Sequence, residues 1–213
     1  MKILFFGDSI TDAGRNRAAT AGNDALGTGF VMQIAGRLFE KDPVGYEIIN
    51  TGISGNRIVD LYARIKADCI NLEPDVISIL IGVNDVWHEI GNRNGVDLKK
   101  FKKVYRMLLE EIMEALPSVK IILCEPFVLS EYKTEERFSE FEQVYQYAEA
   151  VKDLASELNL YFVPLQKSLT DAGEKYGNGV FLGDGVHPTV KGSALIAKEW
   201  FPVFNNVESD LNK

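Results

Sequence analysis

Cysteine and histidine are both scarce in this sequence of 213 residues, which contains two of each. Cys69 and Cys124 stand beside apolar neighbours, which favours packed thiols over a disulfide framework or a metal site. Chains without disulfides are typical of a reducing compartment. We therefore expect no structural disulfide, no metal and no cofactor.

Long apolar runs are missing as well. Lys2 is followed by only four apolar residues before Gly7, which is too few for the core of a signal peptide. No stretch approaches the roughly 20 apolar residues that span a membrane. The sequence therefore predicts a soluble, cytoplasmic protein with no membrane partner.

Positive charge is in deficit, since the formal net charge is -8 and no basic cluster is interleaved with aromatic residues. Such a surface repels phosphate backbones and anionic lipids, so nucleic acid is not an expected partner. The composition leaves the oligomeric state open, and a homo-oligomer is among the options.

An alternation of strand and helix patterns is what the sequence does contain. The length, with 46% hydrophobic residues, suits a single domain over residues 1–213, and no repeat or linker interrupts it. Continuous apolar runs predict five strands: KILFF from Lys2, YEIIN from Tyr46, VISILI from Val76, KIILC from Lys120 and LYFVP from Leu160.

Apolar residues at helical spacing fill the intervals between these strands. The groups are Phe30, Ile34 and Leu38; Ile58, Leu61, Ile65 and Cys69; Phe101, Val104, Leu108 and Ile112; Val144, Tyr147, Val151, Leu154 and Leu158; and Val190, Ala194, Ala197 and Phe201. The polar tail after Phe204 is expected to be frayed. Together the patterns predict an α/β fold in which helices cover both faces of a parallel sheet.

The connections that leave the strands are long and rich in glycine, whereas those that leave the helices are short. The long ones are residues 7–28, 82–97, 125–136 and 165–188. Open parallel sheets bind ligands at the edge where these connections emerge. Function is therefore expected at the C-terminal edge of the sheet.

Ser9 and His187 are predicted to lie at this same edge. A serine nucleophile needs a base, and Asp184, three residues before His187, is spaced to orient the imidazole. His88 competes less well because no acid stands three residues before it. The alternative is that Asp184 and His187 only close the entrance of a helix.

Two further strand ends offer donors for a developing oxyanion. Gly55 in NTGISGN allows close backbone approach and a free N–H, and Asn84 in IGVND carries a side-chain amide. Taken singly, each residue reads equally well as a turn or a helix cap. A serine, glycine, asparagine, aspartate and histidine that all follow strands are harder to attribute to capping.

The blocks G-D-S-I from Gly7, the glycine at Gly55, G-V-N-D from Gly82 and D-G-V-H from Asp184 resemble the SGNH hydrolases, also called GDSL esterases. The resemblance implies a three-layer α/β/α, flavodoxin-like, doubly wound sheet of five parallel strands. It also implies Ser9 as nucleophile, His187 as base and Asp184 as its orienting acid. The amides of Ser9 and Gly55 with the Asn84 side chain would form the oxyanion hole.

The longer strings GDSITDAGR, ALGTGF, NTGISGNRI and IGVNDVWHE resemble the branch that contains acetylxylan esterases and related carbohydrate deacetylases. This resemblance implies a serine esterase that hydrolyses short acyl esters, acetyl above all, on a small or oligomeric carbohydrate. A lysophospholipase or thioesterase of the same fold is the alternative.

Two other residues are candidates for contact with substrate. Trp87 follows Asn84 by three residues, a spacing at which side chains share a helix face, so its indole is predicted to restrict the acyl group to a small size. The alternative is that Trp87 only packs beneath the loop. Glu125 follows the fourth strand and either lines the pocket or takes a rim or pairing role.

Two function classes compete with the esterase. A phosphate-binding module would use Ser9 and Thr11, but it explains only the first loop, and the sequence has no P-loop or G-x-G-x-x-G string. A metal-dependent phosphoesterase requires a cluster of metal ligands, and the sequence offers few candidate ligands at this edge of the sheet. That set is Asp8, Asn84, Asp85 and His187.

Overall fold

The computed structural model describes residues 1–211 and contains one sheet of five parallel strands. The strands are β1 (Lys2–Gly7), β2 (Glu47–Asn50), β3 (Val76–Leu80), β4 (Lys120–Cys124) and β5 (Tyr161–Val163). Their order is β2-β1-β3-β4-β5, which is the doubly wound order of flavodoxin-like folds. The predicted fold class and all five predicted strands are confirmed.

Helices lie on both faces of the sheet. They are α1 (Ser9–Asp12), α2 (Asn23–Leu26), α3 (Phe30–Lys41), α4 (Ile58–Ala63), α5 (Ile65–Asp68), α6 (Val83–Asn92), α7 (Leu98–Ala115), α8 (Tyr132–Glu135), α9 (Phe138–Phe141), α10 (Val144–Glu157), α11 (Gln166–Tyr176) and α12 (Val190–Leu211). On one side α3 packs against α12, and on the other α7 packs against α4 and α10. None of the helices within residues 1–211 is both long enough and apolar enough to cross a membrane.

The core is continuous through the sheet because the strands are apolar on both faces. Every residue of β3 is buried, and Phe5 of β1 packs against the rings of Phe30 and Trp200. The indole N–H of Trp200 donates to Ser78 Oγ at 3.0 Å, so the largest buried side chain leaves no polar atom unpaired. This packing fixes the strands and therefore the loops at their C-terminal ends.

The structure corrects three predictions about helices. All four predicted loops contain helices: α1 and α2 lie in 7–28, α6 in 82–97, α8 in 125–136 and α11 in 165–188. The apolar period that starts at Ile58 is broken at Arg64 into α4 and α5. The tail after Phe204 is helical to Leu211, because Val207 is buried and Glu208 pairs with Lys41.

The strand order reverses between β1 and β3, which are neighbours in the sheet although β2 lies between them in sequence. In doubly wound sheets a crevice opens at the carboxyl ends of the strands at such a switch point. Ser9 follows β1 by two residues and Asn84 follows β3 by four residues. The topology therefore brings two of the predicted site residues to the same crevice.

Candidate active site

A chain of hydrogen bonds joins Ser9, His187 and Asp184. Ser9 Oγ lies 2.9 Å from His187 Nε2, and His187 Nδ1 lies 2.8 Å from Asp184 Oδ2. With the proton on Nδ1, the imidazole donates to the carboxylate and its Nε2 accepts from the serine hydroxyl. This arrangement can transfer a proton away from Ser9 as its oxygen attacks an electrophile.

The turn that carries Asp184 and His187 is shaped by the aspartate itself. Asp184 Oδ1 accepts the backbone N–H groups of Val186 and His187, at 3.1 and 2.8 Å, while Oδ2 faces the imidazole. Gly185 has φ +89°, and a Cβ on it would lie 2.1 Å from Thr134 Oγ1. Only glycine therefore fits at position 185, directly after the predicted catalytic acid.

Asp184 is held in its charged form. Burial alone would raise the pKa of Asp184, but hydrogen bonds from the His187 ring and backbone, the charge of His187 and a hydrogen bond from Lys133 lower it well below the ordinary range. The acid therefore stays ionised at neutral pH and can stabilise an imidazolium beside it.

Gly55 lies in the loop after β2 and Asn84 in the first turn of α6, and hydrogen bonds connect both segments to the region of Ser9. The Ser54 N–H and hydroxyl both donate to Asp12, the last residue of the helix that begins at Ser9. Asn84 Nδ2 donates to the Asn56 carbonyl at 3.0 Å. Because an amide NH₂ group has two hydrogens, the second remains for a ligand.

The left-handed backbone at Gly55 and the burial of Asn84 both suit these residues to bind an oxyanion. Gly55 has φ +83°, and the position of a Cβ there lies 3.9 Å from the His88 ring. Asn84 is 5% exposed, in a setting where a hydrogen bond to a developing negative charge is strong.

Arg64 forms hydrogen bonds that hold the loop of Gly55 in place. Its position within an apolar helix pattern gave no reason to expect this role. Its guanidinium donates to the carbonyls of Gly7 and Thr51 and to the side chain of Asn56. These contacts join the ends of β1 and β2 to the loop that bears Gly55.

Two buried acids lie directly beneath the site. Asp8 is fully buried at the N-terminus of α1, where Oδ1 accepts the Ile10 N–H at 2.9 Å, and burial raises its pKa to about 7. Asp85 accepts the Ile58 N–H, and burial raises its pKa well above the ordinary range. The charge of His187 lowers the pKa of Asp8, and the charge of Asp8 raises that of Asp85.

Trp87 lies beside the histidine. Its ring centroid is 5.8 Å from that of His187 and 5.6 Å from that of Phe141, and the indole is partly buried. The ring is thus held by Phe141 on one side while it borders the reacting groups on another. This position suits either a wall of the acyl site or packing under the loop.

Glu125 makes a capping contact, which is the pairing role that the sequence offered as the alternative to contact with substrate. Its Oε2 accepts the backbone N–H groups of Leu165 and Gln166, at 2.6 and 2.8 Å, at the start of α11. The carboxylate is drawn there because the first N–H groups of a helix lack partners within the helix. Of the two alternatives for Glu125, the hydrogen bonds favour the pairing role.

The geometry gives little support to the two competing functions, a phosphate-binding module and a metal-dependent phosphoesterase. Thr11, which a phosphate cradle would need, is 1% exposed and packs against Gly7. Within residues 1–211, no three histidine, cysteine, aspartate or glutamate side chains come together as a metal-binding group.

A serine, a histidine and an aspartate joined in this way, with amide donors nearby, form the kind of site that acyl-transfer hydrolases use. Residues 5–195 match the GDSL-like lipase/acylhydrolase family, and the chain belongs to that family. It is a carboxylic ester hydrolase, which confirms the enzyme class and the family expected from the motifs.

Similar proteins of known name or structure cover nearly the whole chain. An acetylxylan esterase from Geobacillus stearothermophilus is 37% identical over 204 residues, which is 92% of this chain and 90% of that protein. A solved structure of that esterase superposes with a TM-score of 0.84 at 35% identity, covering 94% of this chain and 92% of that one. A GDSL-like lipase from Parabacteroides merdae gives a TM-score of 0.90 at 36% identity, covering 95% and 94%.

Three solved catalytic mutants of the Geobacillus esterase replace a serine, an aspartate or a histidine with alanine. The aspartate and the histidine are three positions apart in that protein.

Proposed function

We propose that this protein is a serine esterase that removes acetyl groups from acetylated xylo-oligosaccharides or closely related carbohydrates. The observation that carries the proposal is the hydrogen-bonded series Ser9, His187 and Asp184 at the switch point of the sheet. The similarity to an acetylxylan esterase over 92% of the chain supports the acetyl and carbohydrate parts.

In the proposed mechanism Ser9 Oγ attacks the ester carbonyl while His187 Nε2 takes the hydroxyl proton. The negative charge that forms on the carbonyl oxygen is stabilised by the backbone N–H groups of Ser9 and Gly55 and by the Asn84 side chain. His187 then returns the proton to the departing alcohol oxygen, which leaves an acyl group on Ser9. Water activated by His187 hydrolyses this acyl-enzyme.

The position of Trp87 supports the small acyl group. An indole that borders the histidine would restrict the space for a long chain beside the reacting carbonyl. An open apolar groove would instead favour longer chains by up to about 0.8 kcal/mol for each buried methylene.

The free, buried state of Cys69 and Cys124 supports the proposed cytoplasmic location.

The substrate proposal is tested by comparing kcat/KM for acetyl, butyryl and octanoyl esters of one alcohol, and then for acetylated xylo-oligosaccharides against a lysophospholipid. We expect acetyl esters and the oligosaccharides to be the best substrates. A higher kcat/KM with octanoyl esters or with the lysophospholipid would replace the proposal with the lipase or thioesterase alternative.

The catalytic assignment is tested with Ser9→Ala and His187→Ala. Each variant should lose nearly all activity while it remains folded, and the double variant should be little worse than either, because nucleophile and base act as one unit. Ser118→Ala, at an exposed serine, is the matched control.

A serine-directed phosphonate should form a covalent adduct on Ser9, and activity should persist in a strong chelator. A folded Ser9→Ala variant with substantial activity, or loss of activity in the chelator, would overturn the mechanism.

A further inference from the structure

The carboxylate of Asp184 is shared between His187 and a lysine that the proposed mechanism does not use. Lys133 Nζ lies 3.1 Å from Asp184 Oδ2, the same oxygen that lies 2.8 Å from His187 Nδ1. The ammonium is also 5.9 Å from the centroid of the Trp87 ring, a cation–π distance. The lysine therefore contacts both Asp184 and Trp87, the two side chains that border the His187 ring.

The segment that carries Lys133 is fastened to the turn of Asp184. The hydroxyl of Thr134 is buried and donates to the Leu129 carbonyl, while the Leu129 N–H donates to the Gly185 carbonyl at 2.9 Å. Thr134 also contacts Gly185 directly, since a Cβ on that glycine would overlap its hydroxyl. The backbone around Lys133 is thus held in register with the Asp184 turn, so the ion pair is built into the loop packing.

A positive charge in this position opposes the protonation of His187. The imidazolium is stabilised by the negative charge of Asp184, and an ammonium on the same oxygen offsets part of that charge. We propose that Lys133 is a positioning residue that orients Asp184 and keeps His187 in its neutral, proton-accepting form at mildly acidic pH. This inference rests on the proposed esterase mechanism.

Other charges around the triad enter from different elements. The pKa of Asp8, next to β1, is raised by burial and by the charge of Asp12 and lowered by the charge of His187, while the charge of Asp8 raises the pKa of Asp85. Asp184 is the acid that faces both Lys133 and His187, and the hydrogen bond from Lys133 helps to lower its pKa. Burial raises the pKa of Asp8 and of Asp85, so at mildly acidic pH Asp184 is the ionised acid that faces His187 once Lys133 is removed.

The test is the pH dependence of kcat/KM for the neutral substrate para-nitrophenyl acetate in Lys133→Met, Lys133→Arg and the parent protein. The acidic limb of the profile reports the loss of the proton from the base. Lys133→Met should move this limb to higher pH by about 0.5 to 1 pH unit, the size expected for one partly screened charge. Lys133→Arg should restore the limb of the parent protein.

Ionic strength supplies an independent arm. In about 1 M salt, charges are screened over roughly 3 Å. The acidic limb of the kcat/KM profile of the parent protein should then move toward the position it has in Lys133→Met, and the limb of Lys133→Met should move less than that of the parent. Lys167→Met, which removes an exposed ion pair with Asp171 on α11, is the matched control and should leave the limb and the plateau unchanged.

The inference is overturned if Lys133→Met lowers the rate equally at every pH without moving the acidic limb, since that result describes a merely structural contact. It is also overturned if Lys133→Arg behaves like Lys133→Met. These outcomes are separable from failure of the proposed function, which would appear as activity retained in Ser9→Ala.

Discussion

The buried carboxyl of Asp8 predicts an unusual dependence of stability on pH. Asp8 is fully buried, only its Oδ1 has a hydrogen-bond partner within residues 1–211, and burial raises its pKa from an ordinary 3.8 to about 7. Between these two values the folded protein keeps the proton and the unfolded chain releases it. The unfolded state is thus favoured progressively as the pH rises, and the free energy of unfolding falls.

The magnitude follows from the size of the shift. Each pH unit between about 4 and 7 lowers the free energy of unfolding by about 1.4 kcal/mol, so the full effect approaches about 4 kcal/mol. This penalty is absent below the unfolded pKa and complete above the folded one. Asp85 acts with the same sign, and the two acids repel each other when both are ionised, so they titrate as a coupled pair.

The perturbation that tests this reasoning is Asp8→Asn. An asparagine keeps the oxygen that caps α1 through the Ile10 N–H but cannot ionise. The stability of the variant relative to the parent should therefore increase with pH, by about 2 to 3 kcal/mol between pH 5 and pH 7, and should level off above that range.

The assay is urea unfolding followed by tryptophan fluorescence at several pH values from about 5 to 8, with Asp24→Asn as the control because Asp24 is exposed. If the stability difference between Asp8→Asn and the parent protein is the same at every pH, Asp8 is ionised in the folded state throughout and the reasoning is wrong.

Two further predictions concern the acyl site. Asn84→Ala should lower kcat by about 10²-fold or more with little change in KM, because the amide is expected to act on the transition state. Asn92→Ala, on the exposed part of the same helix, is the control and should change neither constant. A change in KM alone would make Asn84 a substrate-binding residue. Trp87→Ala should raise the ratio of kcat/KM for octanoyl esters to kcat/KM for acetyl esters by about 10-fold or more. The space left by the indole would let about two more methylenes of the acyl chain be buried, and their burial is worth about 1.4 kcal/mol, which is a tenfold change. Tyr176→Ala, at an exposed aromatic, should leave that ratio unchanged, and an unchanged ratio in Trp87→Ala would assign the wall to another residue.

The sheet and the edge that bears the site could be predicted because both depend on local patterns. A continuous apolar run predicts a buried strand, and the polar residue that follows it must emerge at the C-terminal edge. By contrast, α11 escaped prediction because Leu169 and Gly173 are the only residues it buries, too few to show a helical period. The break at Arg64 escaped it because the apolar period continues through that position, and the contacts of the arginine with the Gly7 and Thr51 carbonyls leave no sign in the sequence.

Residues outside the motifs could not be assigned, because their partners come from elements far away in sequence. Glu125 is next to a strand end, like the motif residues, yet the neighbouring β5 brings the start of α11 to its carboxylate. Lys133 stands in a polar loop with no distinguishing pattern, and its contact with Asp184 depends on how two loops pack. Sequence proximity to the edge therefore predicts location but does not predict which group a side chain will meet.

The motifs themselves divide their residues between structure and chemistry within one or two positions. In G-D-S the acid is buried and caps α1, while the next side chain, Ser9, turns toward His187. In G-V-N-D the asparagine bonds the loop of Gly55, while the next side chain, Asp85, holds the start of α4. The capping interpretation and the catalytic interpretation of these motifs are thus compatible, because they apply to adjacent residues. A helix start that is capped by one side chain fixes the direction of the next, and this coupling explains why such short strings can specify a site.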